Sequence, residues 1–301
     1  YRYNFYFTQA FYEMGTSVPT VWAYCLYINC SVKSLTMKSS KQWIGRTLCL
    51  TICTMALLSS AVFAQTSGDY RSVASGNWNV LTNWERFNGS AWVTPTAGQS
   101  TPTTRSGVIT IRSGHAMIVS ANVSADQMVV QSGGSITINS GVTLTVADAA
   151  GTDFNLAGTL NVNGTILLKD NTTSTIQSGG VVNNNNLVKV SNVNVSLQFL
   201  SGSSYNHTRN GGAIPVASWN AGSNCNITGV TSTVITTTSL SQSFGNFTWN
   251  CAGQSADLNM AGRISTIQGN FTVSNTGGKI IVGVGCITSR EFIIEVIPFR
   301  R

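Results

Sequence analysis

The chain has 301 residues and a formal net charge of +7, yet only 9% of its residues are charged, against about 25% in ordinary soluble domains. Between Gln65 and Gly285 nine Lys/Arg stand against seven Asp/Glu, scattered without a run or a basic face, which argues against a nucleic-acid footprint. Glycine is plentiful (29) and proline scarce (5), and the apolar residues are β-branched and regularly placed, so low charge here does not mean disorder.

The first 36 residues lack an initiator Met and are crowded with aromatics from Tyr1 to Tyr12. Residues 1–36 are read as translated upstream sequence foreign to the natural protein. Met37 then opens an export pattern over residues 37–64. Lys38, Lys41 and Arg46 make a basic end, and Thr47 to Phe63 an apolar run. Val62 and Ala64 put small side chains where a signal peptidase needs them, which places cleavage after Ala64. The run is shorter than the ~20 apolar residues of a membrane span, so a signal helix that meets the membrane only during export is expected. Ile52 before Cys53 is too bulky for lipoprotein processing, so no lipid anchor is expected.

Residues 65–107 carry Trp78, Trp84, Phe87 and Trp92 among Gly and Asn. Such a segment suits a cap over the exposed edges of a stacked sheet. Exposed tryptophans also stack on sugars, which makes Trp78, Trp84 and Trp92 candidate glycan-binding residues beside the packing reading.

From residue 108 a unit recurs: Gly, then alternating apolar and polar residues. It reads Gly134-Ser135-Ile136-Thr137-Ile138, returns after Gly141, Gly158 and Gly164, and comes back every 20 to 24 residues. Gly245-Asn246-Phe247-Thr248 returns as Gly269-Asn270-Phe271-Thr272. Period-two alternation means short strands with one apolar face, and the glycines are read as corners with positive φ. One coil cannot bury its own apolar face, but stacked coils share a continuous core. The expected fold is therefore all-β, a right-handed parallel β-helix (β-solenoid) with an aromatic N-terminal cap, in sections 108–200 and 201–285. A β-sandwich competes but would use longer, less regular strands. Asn183 to Asn186 and the run Thr231 to Thr238 are expected to form side-chain ladders. Residues 286–301 lose the glycine rhythm and read as an irregular tail, from truncation or a frame shift.

Cys225 and Cys251 lie about one coil apart, and coils stacked about 4.8 Å apart allow a disulfide in an oxidising compartment. Two free buried thiols remain open. No Cys/His spacing suits zinc, so no metal site is expected.

Gly76-Asn77-Trp78, Asn83-Trp84, Val108-Ile109-Thr110-Ile111-Arg112-Ser113-Gly114-His115 and the Gly-x-Leu-x-Val coils together resemble large secreted surface proteins of the type IX secretion class. Ser243-Phe244-Gly245-Asn246-Phe247-Thr248-Trp249-Asn250-Cys251 resembles a module of such proteins. The Gly-rich opening is similar to a G8-like domain. The resemblance implies export to the cell exterior, across both membranes, and a C-terminal sorting domain that residues 286–301 do not resemble.

His115 and His207 read as solvated turn residues. Asp148, Asp153 and Asp170 are the candidate catalytic acids, since Asp148 and Asp170 are one coil apart and stacked acids of this fold cleave polysaccharides, sometimes with calcium. Lys169 should point to the opposite face from Asp170. No nucleotide or nucleophile fingerprint is present. The expected function is a non-catalytic structural or adhesive protein at the cell surface, with no cofactor unless calcium joins the acids. Its expected partners are matrix or surface glycans, not nucleic acid or nucleotide. The competing reading is a polysaccharide-active enzyme or glycan-binding module.

Overall fold

The computed structural model describes residues 65–96, 98–191, 193–264 and 266–285 and the backbone of the strand Glu291–Ile294. These residues form a β-solenoid of about eight turns. Three sheets run along it. Sheet A has nine strands, sheet B ten and sheet C four. From Ile109–Ile111 to Leu187–Val190 each coil lays one strand into each of the three sheets, and counterpart strands of successive coils pair in parallel.

The alternation in sequence becomes the wall of the tube. In Ser135–Ile138, Thr143–Val146, Thr159–Val162 and Thr165–Leu168 the second and fourth residues are buried and the first and third half-exposed. Register is kept coil to coil: Ile136 pairs with Leu160, Leu160 with Val182, Val182 with Tyr205, Tyr205 with Cys225, and Cys225 with Phe247. A one-residue slip would turn every one of these side chains to water, which is why the apolar pattern fixes the register. Phe247 lies on Phe271 as the repeat predicts, with ring centroids 5.8 Å apart and planes 9° from parallel.

The glycines do two jobs, and only one was expected. Gly114, Gly141 and Gly179 turn corners with φ between +75° and +80°. Gly158 does not. A Cβ there would stand 2.1 Å from the Gly134 carbonyl oxygen of the coil below, so this glycine is required by closeness of stacking.

At the N-terminal end the strand Tyr70–Ser72 starts sheet A and pairs antiparallel with Trp84–Phe87, which pairs antiparallel with Trp92–Val93. Trp78 and Trp84 are wholly buried, 4.9 Å apart edge to face. Trp78 Nε1 donates to the Pro102 carbonyl (3.0 Å) and Trp84 Nε1 to the Trp78 carbonyl (2.8 Å). This is the expected aromatic cap.

Sheet C ends at Leu187–Val190 while sheet B continues to Glu291–Ile294. Soon after that end an aromatic column fills the interior. Phe199 stacks on Trp219 at 4.2 Å, Trp219 meets Phe244, and Phe244 meets Phe247. Thr231 to Thr238 is not a ladder: its last residues enter the 3-10 turn Thr237–Leu240. The expected signal segment and the foreign stretch 1–36 lie outside the described residues.

Candidate functional site

Sheet B presents the most ordered polar surface. Its outward positions form a column, Thr137–Asn161–Asn183–Asn206–Asn226, one residue per coil. Each Asn donates from Nδ2 to the residue below: Asn161 to Thr137 Oγ1 (3.2 Å), Asn183 to Asn161 Oδ1 (2.8 Å), Asn206 to Asn183 (2.8 Å) and Asn226 to Asn206 (2.9 Å). A parallel column two residues earlier holds Asn246 on Asn224 at 3.1 Å. At the corner beyond, Asn185 donates to Asn163 (2.7 Å) and Asn186 to the Gly164 carbonyl (2.8 Å). Each Asn of the column carries two N–H donors and two carbonyl lone pairs, so the ladder leaves one of each per coil free for contact. No charged residue interrupts either column from Ser135 to Thr272.

The three candidate acids do not gather. Asp153 is fully buried and caps backbone, accepting from Ala149 N (2.7 Å) and Thr173 N (2.6 Å). Asp148 and Asp170 are exposed and lie past the last paired residues of their strands, Val146 and Leu168. Asp170 accepts from Ser191 Oγ of the next coil. Lys169 is exposed. Among the described residues no three His, Cys, Asp or Glu side chains form a metal-binding group. The acid that does approach Asp153 is Asp126, which the sequence reading passed over. Burial, with the Asp153 charge adding, pushes its carboxyl up to about 6, and its Oδ1 has no hydrogen-bond partner. The signal was available: both acids lie just before sheet A strands whose first paired residues are Met128 and Phe154.

The glycan candidates separate. Trp78 and Trp84 cannot meet a sugar, because both are buried in the cap. Trp92 is half-buried, 5.3 Å from Phe87 and under the Arg71 guanidinium, whose carbon stands 4.4 Å from the ring centre. Arg71 also binds Glu85 at 2.7 Å. The ring's face is thus already covered by a cation.

Cys225 and Cys251 are not joined. Both are free and buried. The lap at this height pairs Cys225 with Phe247, so Cys251 falls beyond it, and its Sγ donates to the Ile227 carbonyl at 3.4 Å. Burial pushes both thiols up, Cys251 to about 11.

His207 is not a solvated turn residue. It is wholly buried in the strand Ser204–His207. Its Nε2 faces the Gly211 carbonyl at 2.7 Å, so that nitrogen carries the proton. Tyr205 Oη then donates to Nδ1 at 3.1 Å, and Asn184 Nδ2 donates to Tyr205 Oη at 2.7 Å. Burial lowers the His207 pKa below the ordinary value. His115 is half-buried against Ser72 Oγ at 2.8 Å.

Comparison with family models, with curated proteins and with solved structures found no match to this chain. Its geometry therefore carries the functional reading. That geometry is a tube filled by apolar and aromatic side chains, whose regular outer feature is the neutral Asn/Thr surface of sheet B.

Proposed function

We propose that the chain is a non-catalytic rod of an exported surface protein, holding other parts of the molecule away from the cell and adhering through many weak contacts. The observation that carries this reading is the hydrogen-bonded Asn column of sheet B. It fixes a row of neutral donors and acceptors at coil spacing, about 4.8 Å apart. Such a row is poor at gripping one small ligand and good at repeated contact, where each added site raises overall avidity without a new kind of bond. Export is supported by the leader pattern of residues 37–64. Neutral matrix or surface glycans are the partners whose chemistry suits an uncharged amide and hydroxyl surface.

The test is a pair of variants displayed on a non-adherent cell. Asn183→Ala with Asn206→Ala is expected to reduce adhesion to glycan-coated surfaces, while Asp148→Ala with Asp170→Ala leaves it unchanged. Neither the parent nor the variants should turn over neutral or acidic polysaccharides. Turnover by the parent that disappears in the aspartate variant would overturn the proposal in favour of an enzyme.

A further inference from the structure

We propose that Asn210 is a self-modification site, at which the fold speeds cyclisation of the Asn210-Gly211 pair and its hydrolysis to aspartate or isoaspartate. Three features of the reaction are already built around it. The first is an oxyanion hole. Asn210 Oδ1 accepts three consecutive backbone N–H groups from the next coil: Thr231 at 2.9 Å, Ser232 at 3.1 Å and Thr233 at 2.9 Å. Charge builds on this oxygen when the side-chain carbonyl carbon is attacked, and donors at such distances stabilise it.

The second feature is the nucleophile. The attacking atom is the main-chain nitrogen of the following residue. The Gly211 N–H has no hydrogen-bond partner among the described residues, and glycine offers no Cβ to block its approach. Gly211 has φ +62°, and a Cβ there would come within 2.9 Å of Thr233 Cγ2, so the position is held for glycine. The third feature is the leaving group. Asn210 Nδ2 donates to Ser232 Oγ at 3.4 Å and Thr233 Oγ1 at 3.2 Å, two hydroxyls that can turn to return a proton once attack at Cγ makes the nitrogen an amine with a free lone pair.

The step balances without an oxidant or reductant. Gly211 N bonds to Asn210 Cγ. The bond from Cγ to Nδ2 breaks, and Nδ2 leaves as ammonia with the proton that Gly211 N gives up. Water then opens the ring. Attack at Cγ gives aspartate, whose carboxylate inherits the three N–H donors. Attack at the Asn210 main-chain carbonyl gives isoaspartate. Asn210 is exposed, so water reaches it.

Two other Asn-Gly pairs serve as controls in the same chain. At Asn163-Gly164 the nucleophile is occupied, because Gly164 N donates to the Ile138 carbonyl at 3.1 Å, and Asn163 Oδ1 accepts the Asn185 side chain and no backbone N–H. At Asn88-Gly89 the oxygen accepts two backbone N–H groups, both from its own turn, and no hydroxyl attends the nitrogen.

The experiment incubates the full chain in heavy-oxygen water at mildly alkaline pH, folded and in urea, and follows label at each Asn-Gly peptide by mass spectrometry. Folded, Asn210 should take up label about tenfold faster than Asn163, and faster than Asn210 itself does in urea. Asn163 should show the reverse dependence on folding. Ser232→Ala with Thr233→Ala should slow only Asn210. The proposal is overturned if folded Asn210 reacts no faster than Asn163, or no faster than in urea.

Discussion

Inside the tube, Asn184, Tyr205 and His207 replace apolar contacts with a chain of hydrogen bonds ending on the Gly211 carbonyl, and each depends on the proton order of the next. Tyr205→Phe removes the middle link and strands two buried groups. It should lower stability by about 1–3 kcal/mol, measured by urea unfolding near neutral pH. The ring of His207 stays neutral because burial depresses its pKa, so its share of stability is whole above the unfolded value of about 6.5 and falls as pH drops below it. Asp126 works the other way. Its folded value of about 6 lies above the unfolded one, so stability is whole below the unfolded value and declines as pH rises through about 6. Asp126→Asn should therefore raise the melting temperature at about pH 8 and leave it unchanged at about pH 3, read by calorimetry. The inward turn of His207 was legible in principle. Asn206 is an outward rung, so period two sends Tyr205 and His207 inside. Reading His207 alone as a polar residue near a turn hid this. The buried acids were less legible, since the Ala147-to-Asp153 turn makes that coil longer than its neighbours and breaks simple counting.

At the level of strands and corners, the two kinds of glycine predict different penalties. Gly141→Ala meets open space and pays only for its left-handed φ of +75°, about 1–2 kcal/mol. Gly158→Ala drives a carbon into the Gly134 carbonyl and should cost more, with loss of parallel pairing between Thr159–Val162 and Ser135–Ile138. Thermal unfolding of the two variants side by side checks the order. Phe247→Ala, between Phe244 and Phe271, should cost about 3–5 kcal/mol. Strand positions and inward faces were readable from alternation, and the Phe247–Phe271 stack from a matched pentapeptide. The end of sheet C was not. Leu187–Val190 keeps the alternating pattern, and the sheet stops there because, among the described residues, no strand from a later coil pairs with it, a fact that no local window contains.

Across the whole molecule each coil rests on its two neighbours, so stability is close to a sum of coil and interface contributions. Cys225 and Cys251 mark the second section from within. Both thiols are buried with raised pKa values, so neither should react with iodoacetamide near neutral pH in the native protein. Both should react in urea, and peptide mapping at intermediate urea would show whether this section opens before the first. The disulfide was the natural guess from spacing alone. The coil at this height is a few residues shorter than the distance between the two cysteines, and that small difference put an aromatic ring over Cys225 instead of sulfur.

The early stop of sheet C has a mechanical consequence. From Val123–Ala125 to Leu187–Val190 neighbouring coils are laced together along three seams, and below that two seams and the aromatic cap hold the base. Beyond the last strand of sheet A, Ser218–Trp219, the continuous lacing is sheet B alone, helped by the two-residue bridges Ser243–Phe244 to Thr266–Ile267 and Leu258–Asn259 to Ile281–Val282. A pull along the axis loads that lighter stitching first, so the upper coils should peel away one at a time while the capped base holds. Tethered at its N-terminal end, such a rod would give way gradually at its far end and lengthen under strain before its anchor failed.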